Sequence, residues 1–466
     1  AKLSLAAMVV AGLASSSFAA DTLADAFKNG KVNGELKAWY FDQSKDPAYV
    51  NANIINLGIE LGYVTDSFYG FSFGATFQGS GNPATAETSA KTTFKDDEYA
   101  GGVQLSEAYL AYTLGKTTVK AGRQYIATPL VSGSGSRIFK EAFEGVVLVN
   151  TDLPQTTLIA GYVDKFQGRT SNVGTSTSYL DTSAGGTLGD APKFKNRAAF
   201  TGGTQSGLTA NFEDAYTVGV INKSISNLTL TAQYAIVTDV AASATKVDDV
   251  DVYYTEANYV LPVAGFKLGF DANFRGSKTG SQLDSYNLEG HYTAARISLS
   301  ELAGFGASFA YGVTSKSDSV IAGMGNGPTS YTSTMIRGTS SRMGADTDSY
   351  LFQASYDFGK LGITGLTALA QYGWTDQGNT AGNVDFKNVA GGLTYAVPAL
   401  KGLTTSLQYE TQEKDANGVK TDTDELWFKA GYKFQFVPLQ NPENSDNFVT
   451  VLSKIFINLL NFQKAY

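Results

Sequence analysis

YGFSFGATFQ, residues 69–78, alternates without a break. Tyr69, Phe71, Phe73, Ala75 and Phe77 point one way, and Gly70, Ser72, Gly74, Thr76 and Gln78 point the other. A period of two is the mark of a strand. The large face is apolar. The small face is polar yet uncharged, whereas the water side of a soluble sandwich would carry many charges. Such a strand suits a wall with lipid on one side and a narrow wet interior on the other.

The same alternation recurs along the chain. Ile55, Leu57, Ile59, Leu61 and Tyr63 share one face, as do Leu228, Leu230, Ala232, Tyr234 and Ile236. Phe266 to Phe274, Phe305 to Val313, Tyr350 to Phe358 and Leu426 to Phe434 repeat it. With the gaps filled, strands are predicted near 32–42, 52–64, 69–78, 103–114, 117–125, 143–150, 156–164, 213–222, 228–237, 249–260, 266–275, 283–296, 304–313, 348–358, 363–373, 384–397, 403–412 and 424–434. That is about eighteen, an even number, as bacterial outer-membrane barrels require. Connections after even-numbered strands are short, such as Gly115-Lys116, while 79–102, 126–142, 165–212 and 314–347 are long. Short turns on one rim and long loops on the other is the asymmetry of an outer-membrane barrel. The expected fold is therefore all-β, a transmembrane antiparallel β-barrel over 32–434.

Composition agrees. The 466 residues include 50 Gly, 26 Tyr and 28 Phe, against 10 Pro and no Cys. No internal run has the 18 or more apolar residues of a membrane helix. A formal net charge of −8, with no basic arm, argues against nucleic-acid binding. Absence of cysteine removes thiolate metal sites and thiol nucleophiles, and suits export through an oxidising compartment. No cofactor is called for. The only histidine, His291, has no GxSxG-type elbow near it, so an enzyme is not expected.

The ends carry separate signals. Residues 1–20, AKLSLAAMVVAGLASSSFAA, have a basic Lys2, an apolar run and a small-x-small site at Ser17-Phe18-Ala19, and read as a cleaved secretory signal peptide. No initiator Met precedes them. Residues 21–31 form a short periplasmic segment, with a helix over 21–30 capped by Asp21. Residues 435–466 place Phe448, Val451, Leu452, Ile455, Phe456, Leu459 and Phe462 at helical spacing, either as an added amphipathic helix or as an end without selected function.

The connection GRQYIATPLVSGSGSRIFKEAFEG, residues 122–145, is too long for a hairpin turn and rich in small residues. It carries Arg123, Arg137 and Lys140, with Glu141 and Glu144 close by. Folded into the barrel, it would present mixed charges at a constriction. Alternation puts Glu107, Lys120, Lys267, Asp271 and Arg275 inside too, together with Glu35, Lys37, Glu60, Glu410, Lys429 and His291. It aims Arg123 at lipid, and a bulge is expected to turn it inward. A guanidinium fork can hold a carboxylate by two hydrogen bonds. Elsewhere a lumen pair can simply brace the wall.

Residues 105–148, with the VNGELKAWYF start at 32–41, resemble OprD-like outer-membrane porins. The resemblance covers roughly 20–434, and its loop motif falls on Gly122, Arg123, Thr128, Pro129, Ser136, Arg137, Phe143, Glu144 and Gly145. It implies eighteen strands, an inward-folded third loop, and a row of basic side chains opposite acidic ones passing small, often carboxylate-bearing solutes. Expected partners are those solutes, outer-membrane lipids and the barrel-assembly machinery, for a monomer or trimer in the outer membrane. A general diffusion porin and, further off, an adhesin or structural barrel are the competing readings.

Overall fold

In the computed structural model, residues 20–46, 50–81, 88–171, 189–202, 208–337, 342–378 and 383–436 are described. Residues 1–19 of the expected leader and 437–466 of the expected tail lie outside the described residues, while Gln435 and Phe436, expected in the tail, continue the last wall strand. Eighteen strands make the wall: β1 Lys31–Asp46, β2 Val50–Val64, β3 Phe71–Ser80, β4 Ala100–Leu114, β5 Thr117–Gln124, β6 Ala142–Asn150, β7 Thr156–Gln167, β8 Ala215–Asn222 and β9 Leu228–Ser243. The second half is β10 Lys246–Val263, β11 Phe266–Thr279, β12 His291–Leu302, β13 Phe305–Thr314, β14 Thr347–Asp357, β15 Leu366–Gln377, β16 Val384–Ala396, β17 Leu403–Ala416 and β18 Val419–Phe436.

Each wall strand pairs antiparallel with its neighbours in chain order, and β18 returns to β1 over Val32↔Phe436 to Asp46↔Asp422. Closure leaves no free sheet edge, so every backbone group in the lipid layer has a partner. The connection between β12 and β13, expected to be loose over 297–303, is a tight turn, because β12 runs on to Leu302 and pairs there with Phe305. Ala303 and Gly304 both have positive φ between β12 and β13, which fits the twist of a two-residue hairpin. Among the described residues no helix is long and apolar enough to cross a membrane; the strands do so.

β3 shows the predicted faces. Phe71, Phe73 and Phe77 are exposed on the outside, while Gly74, Thr76 and Gln78 are buried inside. Tyr69 and Gly70, predicted in this strand, instead form the turn before it, both at positive φ. Ahead of β1, the helix α1 (Leu23–Lys28) is capped by Thr22, not Asp21: the Thr22 hydroxyl accepts from the Asp25 amide.

The largest shift is at β12, predicted over 283–296. Residues 281–286 form a 3-10 turn and the strand begins at His291. The alternation in this strand has the opposite parity to the expected one, which exchanges its faces. His291 therefore points outward against the Phe274 ring, 5.8 Å between centroids, and Tyr292 and Arg296 point inward.

Between strands, the short segments 197–202 and 321–324 pair with each other, and Val131 bridges Met324. Leu130, Val131, Phe143, Phe166, Phe200 and Met324 pack there into one buried apolar cluster. Sequence alternation gave no sign of it, because these side chains come from connections as well as strands.

Candidate functional site

Segment 126–141 is tied to inner-face side chains of five strands. On β9, Gln233 accepts from the Leu130 amide at 3.0 Å and donates to the Thr128 hydroxyl at 2.9 Å. On β3, Gln78 accepts from the Lys140 amide at 2.7 Å and donates to its carbonyl at 2.9 Å. Lys140 Nζ pairs with Glu60 of β2 at 2.8 Å. Lys37 of β1 donates to the Ile138 carbonyl, and Lys429 of β18 to the Ser136 carbonyl. Polar side chains that the wall strands supply by alternation thus satisfy the backbone of a segment that has no ladder of its own.

Arg137 holds the middle of this segment. Its Nε lies 3.3 Å from Asp97 and 3.6 Å from Glu98, and its guanidinium covers the Trp427 ring at 4.5 Å. Arg169 joins Asp97 at 2.9 Å and Glu141 at 3.3 Å. Asp97, Glu98 and Arg169 sit in long connections without a motif, so nothing in their spacing marked them. Burial alone would raise the Asp97 carboxyl; Arg137 and Arg169 outweigh it and hold the group below its ordinary 3.8. A depressed carboxyl contributes stability above the unfolded value that is lost as pH falls through the folded one. Anchoring of 126–141 is thus expected to weaken below about pH 4. Thermal unfolding at pH 3 and pH 6 checks this: the difference should shrink in Asp97→Asn.

Lys120 and Glu107 meet inside as predicted, at 3.2 Å, with Lys120 over the Tyr109 ring. Glu107 also accepts from Thr76. Asp271 takes Arg296 Nε at 2.8 Å and Nη2 at 2.7 Å. Arg296 went unpredicted because the expected parity in β12 put the odd-numbered residues inside. Arg275 is buried, donating to the carbonyls of Ala322 and Thr329 and stacking on Tyr254; it grips a connection and faces no open space.

Two predicted residues lie elsewhere. Lys267 keeps the inner parity of Asp271 but lies near the short-turn rim, half-exposed and paired with Glu301 at 2.6 Å. Arg123 stays on the outer face. β5 shows no register shift against β4 or β6 at this point, so the expected bulge is absent. The inner position belongs to Gln124, which donates to the carbonyls of Lys120, Gly122 and Gly145. Arg123 instead pairs with Glu144 at 2.8 Å, and Glu144 with Lys165 at 2.9 Å. A row of neutralised charges on the outside lowers the cost of facing the membrane border.

A second segment, 321–337, was flagged only as a long loop. It runs along inner-face groups from β10 to β18. Tyr331 donates to Glu256, Thr334 to Glu410 at 2.7 Å, and the Ile336 amide to Glu410 at 2.8 Å. Arg337 reaches Glu425 at 2.6 Å. The Asn326 amide and the Ser134 amide both donate to Glu141, which joins the two segments.

A closed antiparallel wall, apolar outside and lined by charged pairs inside, defines a transmembrane pore-forming barrel. The chain matches the outer membrane porin, OprD family, over residues 80–436, and belongs to that family. It is an outer-membrane porin; the family members are channels. No curated protein matches it by sequence. Among solved structures it is similar to Pseudomonas aeruginosa OccK9 (OpdG), with a TM-score of 0.71 and 15% identity over 88% of this chain and 100% of that one. Pseudomonas aeruginosa OpdK, solved with vanillate, gives 0.69 and 15% over the same shares. Pseudomonas aeruginosa OpdO gives 0.64 and 17% over 89% and 99%.

Proposed function

We propose that this porin passes small carboxylate-bearing solutes through a narrow passage bounded by segments 126–141 and 321–337. One observation carries the reading. In three inner ion pairs the cation is the more exposed partner: Lys140 at 31% against Glu60 at 11%, Arg337 at 26% against Glu425 at 9%, and Arg296 at 22% against Asp271 at 9%. At these three pairs a solute in the passage meets ammonium and guanidinium groups first, while at Arg137 and Arg169 Asp97 is the more exposed partner. Local charge of this kind outweighs the total of −8. In a narrow, partly dehydrated passage each contact exceeds its strength in bulk water. Glu256, beside Tyr331 and Asn258, offers acceptors to an amine on the same solute.

Single-channel conductance of the purified protein in planar bilayers tests this, titrated with mono- and dicarboxylates and with basic amino acids. Vanillate, the carboxylate solved with OpdK, is a first probe. Small channels blocked saturably by carboxylates are expected. Large ohmic channels indifferent to solute would instead identify a general diffusion porin.

A further inference from the structure

We propose that Lys429 is a positioning residue, a latch that ties segment 126–141 to the seam where the barrel closes. This rests on the reading that 126–141 bounds the passage. Lys429 stands on β18, the last strand, directly opposite Trp39 of β1, the first. Trp427 is likewise opposite Phe41, ring centroids 4.9 Å apart. The ammonium group lies 4.4 Å from the Trp39 ring centre, 4.4 Å from Trp427 and 5.1 Å from Phe41. All three rings are buried.

An ammonium group in such surroundings must recover what it loses in water. Three aromatic faces supply negative electrostatic potential. The Ser136 carbonyl, 2.7 Å from Nζ, supplies the hydrogen bond. That carbonyl belongs to the residue before Arg137, whose guanidinium covers Trp427 from its own side at 4.5 Å. Trp427 is thus held between two cations, one from the wall and one from the segment. Because the cage is made half by β1 and half by β18, it is complete only when the barrel has closed. The segment then docks on a finished seam.

The lysine is taken up by the cage, so its role differs from that of Lys140, Arg296 and Arg337, which face the passage. A neutral side chain of similar length would fill the cage yet release the carbonyl. An arginine would keep both the charge and a donor.

The chain has no cysteine, and a Cβ at Gly135 makes only ordinary contacts with Lys140. A nitroxide on Gly135→Cys therefore reports the segment alone. The full chain would be compared with Lys429→Met, Lys429→Arg and Trp39→Leu, by nitroxide spectra and by bilayer conductance. Lys429→Met is expected to lose the immobilised spectral component and the single conductance level. Lys429→Arg should retain both. An unchanged spectrum in Lys429→Met overturns the latch, as does an equal loss in Lys429→Arg. If Lys429→Met fails to assemble, Trp39→Leu decides: the lysine remains, the cage is broken, and the label should still loosen. A loosened label without any change in conductance or charge selectivity would leave the latch standing and remove the constriction reading instead.

Discussion

Arg137→Ala is expected to change the channel's width as well as its affinity: conductance should rise and split into several levels. The sequence alone suggested Arg137 as a solute ligand, whose loss would abolish block. In the fold its guanidinium is committed to Asp97, Glu98 and Trp427. Removing it leaves the buried Glu98 with Lys429 alone, and breaking a buried pair from one side costs up to about 3–5 kcal/mol. Lys37 and Lys429 still hold the Ile138 and Ser136 carbonyls and Phe139 stays buried, so that loss is expected to shift the segment without releasing it. Arg137→Lys should behave as an intermediate, because an ammonium cannot both fork toward two carboxylates and lie flat on an indole. The measurement is a histogram of single-channel amplitudes for the three proteins. One unchanged amplitude across all of them would mean that the segment does not depend on Arg137.

Arg296→Gln and Arg337→Gln should have the opposite signature: carboxylate block is lost while conductance stays near its parent value. Each guanidinium is already held by an acid, Asp271 or Glu425, and keeps an edge open. A charge-assisted hydrogen bond contributes about 1.5–3 kcal/mol. Each substitution should thus weaken block by roughly ten-fold or more. The uncovered carboxylate adds repulsion on the same side, so the effect should exceed what the lost bond alone predicts. Arg123→Gln is the contrast. That residue sits on the outer face with Glu144, and its loss should leave block unchanged. Block constants from current titrations separate these variants. Equal loss in all three would point to a diffuse electrostatic effect instead of named contacts.

How far the site could be read in advance depended on what each residue rests on. Glu60, Lys120 and Asp271 were found because they lie within unbroken alternation, where parity alone decides the face, and Glu107 keeps its inner place beside a register shift at Ser106. Arg296 and His291 were misplaced together. The expected parity put the odd-numbered residues of β12 inside, whereas the strand that begins at His291 turns Tyr292, Ala294 and Arg296 inward. Arg123 misled for a different reason. Its strand ends one residue later, so a functional Arg in a loop motif invited an inward turn that the backbone does not make. Asp97, Glu98, Arg169 and Arg337 lie in connections without periodicity, and only folding brings them to Arg137 and Glu425.

By itself the sequence determined the architecture of this porin. A period of two with aromatics on one face and small polar residues on the other can bury its backbone in lipid only as a closed barrel. Strand number, turn asymmetry and the sign of most inner charges follow from local rules that need no knowledge of distant residues. The tertiary structure decided which of those charges are buried in ion pairs and which stay exposed. That depends on how segments 126–141 and 321–337 settle against the wall, and each settles through contacts between residues far apart in the chain, such as Lys429 with Ser136 and Arg337 with Glu425. Such pairings carry no local signal, because the groups that satisfy one another are chosen by closure of the barrel and not by their neighbours in sequence.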